Sequence, residues 1–339
     1  MKIFLITGCA GLIGSNLVHW LLDNVRDVYV VGVDNLSGGY EKNLPTSPNF
    51  SFYKLDVESD EFSELFKMVQ PEYVCHLAAY AAECLSPFIR KFNYTNNLVA
   101  TANVVNNCVK YNVKRLLFTS SIAVYGEGNQ NPPFDEELIP CPIDPYGVAK
   151  FACEQDIRIA GKQHNLDWVI LRPHNVYGKY QAYNDRYRNV LGIWMFQHLN
   201  GRPLTVFGDG SQKRSFSYID DCVECFYTAL TSSMCSKQII NIGGIHEHTI
   251  RSAAELVLNT VQCSNSKIVH LERRHEVKYA YPTYQKSVKL LNFKHTTDLN
   301  IGISKMWQWV QSDYQDSKRT ILSFDKYELD KDIYSYWKN

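Results

Sequence analysis

The stretch KIFLITGCAGLIGSNLVHWLLDN occupies residues 2–24 and decides how the fold begins. Its apolar run leads into a turn that holds Gly8, Gly11 and Gly14, and a helical pattern begins near Leu12. Glycine allows a tight turn and a close approach of the backbone, and a helix N-terminus offers positive potential to an anion. We therefore predict a strand, a glycine turn and a phosphate-binding helix N-terminus.

Outward from this stretch, apolar runs alternate with mostly amphipathic segments through the first half of the chain. The further runs cover residues 27–34, 49–56, 73–79, 113–121 and 167–178. This alternation predicts an α/β fold with a Rossmann-type, doubly wound parallel sheet, in which ligands bind beyond the carboxyl ends of the strands. We assign residues 1–178 to a dinucleotide-binding domain. Residues 179–339 form mainly a smaller C-terminal α/β substrate-binding region, from which about 215–245 return to the main sheet.

The second strand is predicted to end at Asp34, twenty residues after Gly14. A carboxylate at this point can accept hydrogen bonds from both ribose hydroxyls, and it would repel a 2′-phosphate. The spacing therefore favours NAD over NADP. Asp56, at the end of the third run, either caps the adenine amino group or serves as the N-cap of the following helix.

Net charge and hydropathy exclude several classes of partner. Lys and Arg together number 35, as do Asp and Glu, so no overall field draws the protein to nucleic acid or to an anionic membrane. The first strand begins at Lys2 without a signal sequence, and no apolar run approaches eighteen residues. We expect a cytoplasmic protein whose ten cysteines are reduced.

Tyr146 and Lys150 are four residues apart in a helical pattern, after a strand that ends in Thr119-Ser120-Ser121. On a helix the two side chains share a face, so the ammonium group favours the ionised phenol. The positive charge of an oxidised nicotinamide would add to this, and Tyr146 could then act as a base near neutral pH. Ser121 would hydrogen-bond the same substrate oxygen. The alternative for the pair is a surface contact.

Together with the glycine turn and His76-Leu77-Ala78-Ala79, these motifs resemble the extended short-chain dehydrogenases/reductases. Within them the chain is similar to NAD-dependent nucleotide-sugar epimerases of the UDP-glucose/galactose 4-epimerase kind, from about Lys2 to Trp309. The resemblance implies a homodimer that inverts C4 of a UDP-hexose through a 4-keto intermediate, with NAD held between turnovers and no metal. The implied cofactor contacts are Gly8, Gly11, Leu12, Ile13, Gly14, Asp34, Asn35, Asp56, Val57, Leu77, Ala78, Ala79, Asn96, Tyr146 and Lys150.

The second half of the chain carries segments that match the substrate side of the same family. Asn175 and Asn189 would face the diphosphate or sugar, Arg214 would bind phosphate, and Arg273 and Glu276 match the family's Arg-x-x-Asp pair. The alternative for the arginines is a solvated surface charge. The implied substrate contacts are Ala81, Ser121, Tyr146, His174, Asn175, Asn189, Val190, Arg214, Arg273, Glu276 and Ala280, with His174 as a wall residue rather than an acid or base.

Two of these positions depart from the family's usual residues. Ala81 stands where 4-epimerases of this kind carry a lysine near the sugar and phosphate, so that contact is absent or supplied by another residue. Ala280 stands at the gatekeeper, where a tyrosine excludes N-acetyl groups and a small residue admits them. We therefore predict that UDP-GlcNAc and UDP-GalNAc are accepted as well.

Several other activities of the superfamily remain alternatives. The 4,6-dehydratases use an Asp-Glu pair where this chain has Ile122 and Ala123, so elimination lacks its acid and base. Ala123 also replaces the cysteine of the GDP-mannose 3,5-epimerases, which remain a candidate for ancestry. A UDP-glucuronate 4-epimerase and a non-catalytic NAD-binding regulator remain open as well.

Overall fold

The computed structural model describes residues 1–127, 131–261, 267–324 and 326–338. In these ranges the strands are β1 (Lys2–Thr7), β2 (Val28–Asp34), β3 (Phe50–Lys54), β4 (Tyr73–His76), β5 (Arg115–Thr119), β6 (Trp168–Pro173), β7 (Val176–Tyr177), β8 (Leu204–Phe207), β9 (Lys213–Ser215), β10 (Ser217–Tyr218), β11 (Gln238–Ile242), β12 (Glu247–Thr249), β13 (Ile268–Leu271) and β14 (Tyr279–Ala280).

The α-helices are α1 (Leu12–Asn24), α2 (Asp60–Val69), α3 (Arg90–Tyr94), α4 (Ala100–Lys110), α5 (Pro145–Gln163), α6 (Val190–Leu199), α7 (Ile219–Thr231), α8 (Ile250–Val261), α9 (Gln285–Leu291) and α10 (Leu299–Ser317). A π-helical turn covers Thr95–Val99 between α3 and α4. Short 3-10 turns cover Glu41–Asn43, Glu83–Phe88, Ile122–Tyr125, Ser233–Cys235 and Ser335–Trp337. No helix in the described ranges is long and apolar enough to cross a bilayer.

Seven parallel strands form the main sheet, in the order β11-β6-β5-β4-β1-β2-β3. This confirms the predicted Rossmann-type doubly wound sheet. The outermost strand, β11, comes from the second half of the chain and pairs with β6. The carboxyl ends of β1, β2, β4 and β5 therefore lie along one edge, where the predicted site residues follow them.

Both faces of the sheet are covered because the strands carry apolar side chains on both sides. In β1, Phe4 and Ile6 contribute to one core while Leu5 contributes to the other, as the alternation of a strand requires. Helices α1 and α7 cover the first face, and α2, α4 and α5 cover the second. The glycine turn is thereby fixed between a buried strand and a buried helix.

Smaller sheets build the second region. Strands β12, β9 and β14 form one of these sheets, and β13 pairs with β8 in another. Helices α6, α8 and α10 enclose a separate apolar core that includes Trp194, Val257 and Met306. After α10 the chain crosses back, since Arg186 donates its backbone N–H to the Leu322 carbonyl oxygen.

Candidate active site

A cavity of about 390 Å³ lies where the main sheet meets the second region. The glycine turn, the ends of β2, β4 and β5 and the start of α5 line its first half. Segments around α6, β8 and β9 line its second half. Tyr336, near the end of the described chain, also reaches the wall. The site therefore combines side chains that are more than 300 residues apart in sequence.

Glycine is suited to each of the three positions of the turn for a different geometric reason. Gly8 has φ +70°, and an added Cβ would lie 2.7 Å from the Ala78 backbone nitrogen. A Cβ on Gly14 would collide with the Gly8 carbonyl oxygen, so the absence of a side chain at Gly14 lets α1 pack against the turn. At Gly11 the nearest atom to an added Cβ is 3.5 Å away, so no protein atom requires a glycine there. The lack of a side chain at Gly11 instead leaves the helix N-terminus open to the cavity. Such a cradle fits a pyrophosphate.

Asp34 ends β2 and lines the cavity beside this turn. Its Oδ2 accepts the Ala10 backbone N–H at 2.9 Å, and its Oδ1 accepts the Leu36 N–H at 2.7 Å. These bonds fix the carboxylate, and each oxygen keeps a further lone pair for a ribose hydroxyl. Burial raises the pKa of this carboxyl, while the two N–H groups oppose the shift.

Asp56 also lines the cavity. Its Oδ2 accepts a hydrogen bond from Asn35 Nδ2 at 2.9 Å. The N-cap of α2 is Ser59, whose hydroxyl accepts the Phe62 N–H, so the helix-cap alternative for Asp56 is wrong. The Asp56 carboxylate is thus positioned by Asn35 at the cavity wall.

Tyr146 and Lys150 lie one turn apart on α5, and Asp144 is the N-cap of that helix, where it accepts the Gly147 N–H at 2.9 Å. Tyr146 is 5% exposed and Lys150 is 3% exposed, and both line the cavity. Lys150 Nζ donates to the Thr119 carbonyl oxygen at 2.8 Å and lies 5.9 Å from the centre of the Tyr146 ring. Ser121 lines the same cavity, and its hydroxyl accepts the Ala123 backbone N–H at 3.1 Å.

Burial dominates the electrostatics of this group. It lowers the pKa of Lys150 to about 8, which still leaves an ammonium at neutral pH. Burial also raises the pKa of the Tyr146 phenol above its ordinary value, the charge of Glu83 raises it further, and the nearby Ser121 hydroxyl opposes the shift. The expected lowering by Lys150 alone is therefore outweighed. Ionisation of the phenol needs additional positive charge next to it.

His76, between the glycine turn and α4, has no charge to offer the site. Its ring nitrogens hydrogen-bond Thr7 Oγ1 at 2.7 Å and Thr101 Oγ1 at 3.0 Å. Burial lowers its pKa to about 3. The His76 side chain is a structural link, while the residues that follow it, Leu77 to Ala79, line the cavity.

Most of the predicted substrate contacts line the cavity, five of them in its second half. Asn175 has φ +41° and donates its amide to the Ser215 carbonyl oxygen at 2.8 Å. Asn189, with φ +54°, precedes the first turn of α6. The predicted substrate residues that line this cavity are Ala81, Ser121, Tyr146, Asn175, Asn189, Val190, Arg214 and Glu276, and all the predicted cofactor residues line it too.

Three predicted substrate residues do not line the cavity. His174 is buried behind it, where Nε2 contacts the Gly244 carbonyl oxygen at 3.0 Å and burial lowers the pKa to about 4. Ala280 is 8% exposed and packs with Ile122 and Tyr125 behind the wall. Arg273 faces a separate depression beside Lys278, because the loop after β13 turns the neighbouring residue inward instead.

Sequence reasoning missed several residues of the cavity wall. Arg274, not Arg273, faces inward; its guanidinium lies 3.9 Å from the centre of the Phe207 ring. Glu83 follows the HLAA segment by four residues, and its charge in an otherwise apolar run was the available signal. Tyr336 comes from the tail, and no sequence pattern indicated its position. Arg186 and Arg188 also line the wall.

The residues present fit an NAD molecule. The open helix N-terminus at Gly11 fits a pyrophosphate, and Asp34 fits an adenosine ribose. Near the catalytic group, Thr119 Oγ1 is buried and has no hydrogen-bond partner among the described residues. That hydroxyl is available to a polar group of a bound ligand. The two ends of a dinucleotide thus meet complementary groups.

One group of side chains in the described ranges has the spacing of metal ligands. His246, His295 and Asp298 each offer an atom within 4.8 Å of the others. These residues do not line the cavity. The expectation that the site needs no metal stays a prediction.

Comparison with known proteins places this geometry among related chains. The chain matches a family model described as the NAD dependent epimerase/dehydratase family over residues 4–243. It is 30% identical to a putative UDP-glucose 4-epimerase of Methanocaldococcus jannaschii, over 91% of this chain and 98% of that protein. It is also 30% identical to the dTDP-D-glucose 4,6-dehydratase of Mus musculus, over 97% of this chain and 94% of that protein.

A solved structure shares both the fold and a comparable level of identity. The UDP-glucuronic acid 4-epimerase of Bacillus cereus, in complex with UDP-glucuronic acid and NAD, is 30% identical to this chain with a TM-score of 0.84. The match covers 92% of this chain and 100% of that one. The likeness therefore extends well beyond the glycine turn.

Proposed function

The chain belongs to the NAD-dependent epimerase/dehydratase family, and on that premise we propose that it inverts C4 of a UDP-hexose, interconverting UDP-glucose and UDP-galactose. Its cofactor is NAD. The observation that carries the proposal is that Ser121, Tyr146 and Lys150 line the same cavity as the glycine turn and Asp34. A hydroxyl, a phenol and an ammonium are thereby available at one end of a dinucleotide cradle.

In the proposed mechanism Tyr146 Oη removes the proton from the sugar's 4-hydroxyl, and Ser121 hydrogen-bonds the same oxygen. Bound NAD supplies a reversible hydride acceptor for C4. Lys150 holds positive charge near the phenol from its bond to the Thr119 carbonyl. After the 4-keto sugar turns over in the cavity, Tyr146 returns the proton.

The second half of the cavity would hold the UDP moiety. Arg214 and Arg274 both lie against Glu276, with N–O distances of 3.3 and 3.7 Å. Planar guanidinium groups suit a diphosphate. The start of α6 at Asn189 adds backbone N–H groups. Arg274 thus takes the role that the sequence assigned to Arg273.

Elimination to a 4-keto-6-deoxy sugar is the main competing activity, since a 4,6-dehydratase is among the relatives. Ile122 lines the cavity and Ala123 follows it in a buried 3-10 turn. Neither side chain can donate or accept a proton. The residue types after Ser121 therefore support epimerisation.

We propose that N-acetylated hexoses are accepted as well. The support is the small side chain of Ala280, which packs behind Ile122 and pairs with the backbone of Arg214 in β14 and β9. A larger residue at this point would push the wall inward.

The function is tested by incubating the purified protein with UDP-, GDP- and dTDP-sugars and identifying products by NMR. We expect UDP-glucose to form UDP-galactose, and UDP-GlcNAc to form UDP-GalNAc, without net oxidation of the sugar. A 4-keto-6-deoxy product would contradict epimerisation. No product with any nucleotide sugar, together with retained NAD binding, would favour a regulatory protein.

Asp34→Gly is expected to narrow the preference for NAD over NADP by at least tenfold. The change removes a carboxylate that would repel a 2′-phosphate and that accepts the Ala10 and Leu36 N–H groups. Affinities for both dinucleotides, measured by calorimetry on the stripped protein, give the ratio. An unchanged ratio would remove Asp34 from cofactor selection.

We also propose that two copies of the chain pair through α4 and α5. Val148 and Ile159 lie three turns apart on one face of α5 and are 41% and 50% exposed, and Val99 at the start of α4 is 53% exposed. Light scattering after size exclusion should give a dimer for the native chain. Ile159→Glu should give a monomer, whereas Ile301→Glu, at an exposed position of α10, should not. A native monomer would contradict the proposal.

A further inference from the structure

Glu83 stands beside the catalytic helix although neither the sequence motifs nor the mechanism uses it. It begins the 3-10 turn Glu83–Phe88, and this turn is bound to α5 because Ser86 Oγ accepts the Tyr146 backbone N–H at 3.1 Å. The same Ser86 hydroxyl donates to the Glu83 carbonyl oxygen at 2.7 Å. Glu83 is therefore held at a fixed position relative to Tyr146.

The Glu83 carboxylate faces the cavity and is free to meet a ligand. The residue lines the cavity wall and is exposed there. Among the described residues, no hydrogen bond or ion pair holds its carboxylate oxygens. A carboxylate without a partner at a cavity wall accepts a hydrogen bond from a ligand that offers a donor, and it repels a ligand that is negatively charged.

The charges around Glu83 are unevenly shared. The charges of Arg214 and Arg274 act on Glu83, but both arginines already lie against Glu276, and Arg214 also donates to the Val277 carbonyl oxygen at 2.7 Å. Asp144, the N-cap of α5, adds a second negative charge near Glu83. The diphosphate of a nucleotide sugar would take up the remaining capacity of the arginines. The sugar itself would meet Glu83.

We propose that Glu83 is a specificity-determining residue that disfavours hexuronates and accepts a hydrogen bond from a neutral hexose. This inference rests on the proposed 4-epimerase function and narrows its substrate class to UDP-linked neutral sugars. A sugar whose 4-hydroxyl lies at Tyr146 comes close to Glu83, because both residues line the same cavity and the turn that Glu83 begins is hydrogen-bonded to the Tyr146 backbone. The carboxylate of a hexuronate would be a second negative charge beside Glu83, and the two would repel each other.

The proposal makes the selectivity depend on pH. Burial and the charge of Asp144 raise the pKa of Glu83 to about 7, with Arg214 opposing. Above this pKa Glu83 is charged and repels a uronate; below it Glu83 is neutral, and the repulsion fades. The preference for UDP-glucose over UDP-glucuronate should therefore fall from pH 8 to pH 6. Burial raises the pKa of Asp144 to about 6, so Asp144 titrates slightly lower.

The test compares kcat/KM for UDP-glucose and UDP-glucuronate at pH 6 and pH 8. The native enzyme should prefer UDP-glucose at least tenfold at pH 8. Glu83→Gln should narrow that preference at least tenfold and flatten its pH dependence, which separates Glu83 from Asp144. Glu255→Gln, on the exposed face of α8, is the matched control and should leave the preference for UDP-glucose and its pH dependence unchanged. Equal use of both sugars by the native enzyme, or an unchanged ratio in Glu83→Gln, would overturn the proposal.

Calorimetry with the same two ligands separates this proposal from the wider function. If the protein binds UDP-glucose more tightly than UDP-glucuronate and Glu83→Gln removes the difference, Glu83 selects the sugar whatever the turnover. If native protein converts no UDP-sugar at all, the 4-epimerase function falls. If it converts UDP-glucuronate as readily as UDP-glucose, the function stands and the role of Glu83 falls.

Discussion

Tyr146→Phe is expected to lower kcat about a thousandfold, within the range that general acid–base catalysis contributes. The phenol oxygen is the only atom lost, and it is the atom that exchanges a proton with the sugar's 4-hydroxyl. The ring would keep its buried place on α5, next to Lys150. NAD binding and the melting temperature should change little.

Turnover is measured by NMR, and NAD content is measured from the absorbance of the denatured protein. Tyr53→Phe is the matched control, because Tyr53 lies on β3 outside the cavity and its loss of a hydroxyl should leave kcat unchanged. A Tyr146→Phe variant that retains more than a tenth of native activity would assign the proton step to another group.

Glu154→Ala is expected to reduce the free energy of unfolding by about 3–5 kcal/mol, the cost of leaving one member of a buried ion pair without its partner. Glu154 lies on α5 and Arg172 on β6, and the two side chains are 1% and 2% exposed. Arg172 donates from Nε at 2.9 Å and from the terminal nitrogen at 2.7 Å. Ser120 also donates to this carboxylate.

Urea unfolding at pH 7 measures the change. The double variant Glu154→Leu with Arg172→Met is the control, because it removes both charges and leaves none unpaired. We expect it to be more stable than Glu154→Ala alone. If Glu154→Ala unfolds at the native midpoint, the pair does not bind α5 to the sheet as the structure indicates.

The main sheet and the cofactor side of the cavity could be predicted because local patterns determine them. The glycine turn, Asp34 at the end of β2 and the four-residue spacing of Tyr146 and Lys150 each depend on a few neighbouring residues. Parallel strand ends then bring these groups to one edge of the sheet. The alternation of strands and helices predicted a doubly wound parallel sheet, and the structure adds the order of its seven strands.

The substrate side of the cavity was harder to predict from the sequence, because loops determine its shape. Whether Arg273 or Arg274 lines the cavity depends on how the chain turns after β13. A shift of one residue there directs a side chain away from the cavity. Ala280 lies on a two-residue strand whose pairing with β9 no periodicity could reveal. Tyr336 reaches the cavity only because the tail crosses back over the molecule.

The separate sheets of the second region have a consequence for how such a protein can diversify. The glycine turn and α5 flank the large sheet, whereas residues 204–207 and 213–215 belong to small sheets of the second region, where Leu204 and Val206 pack in a separate core. Mutations in those two segments can accumulate without disturbing the strands that carry the reacting groups. A library built to change sugar preference should therefore randomise these segments and leave the large sheet intact.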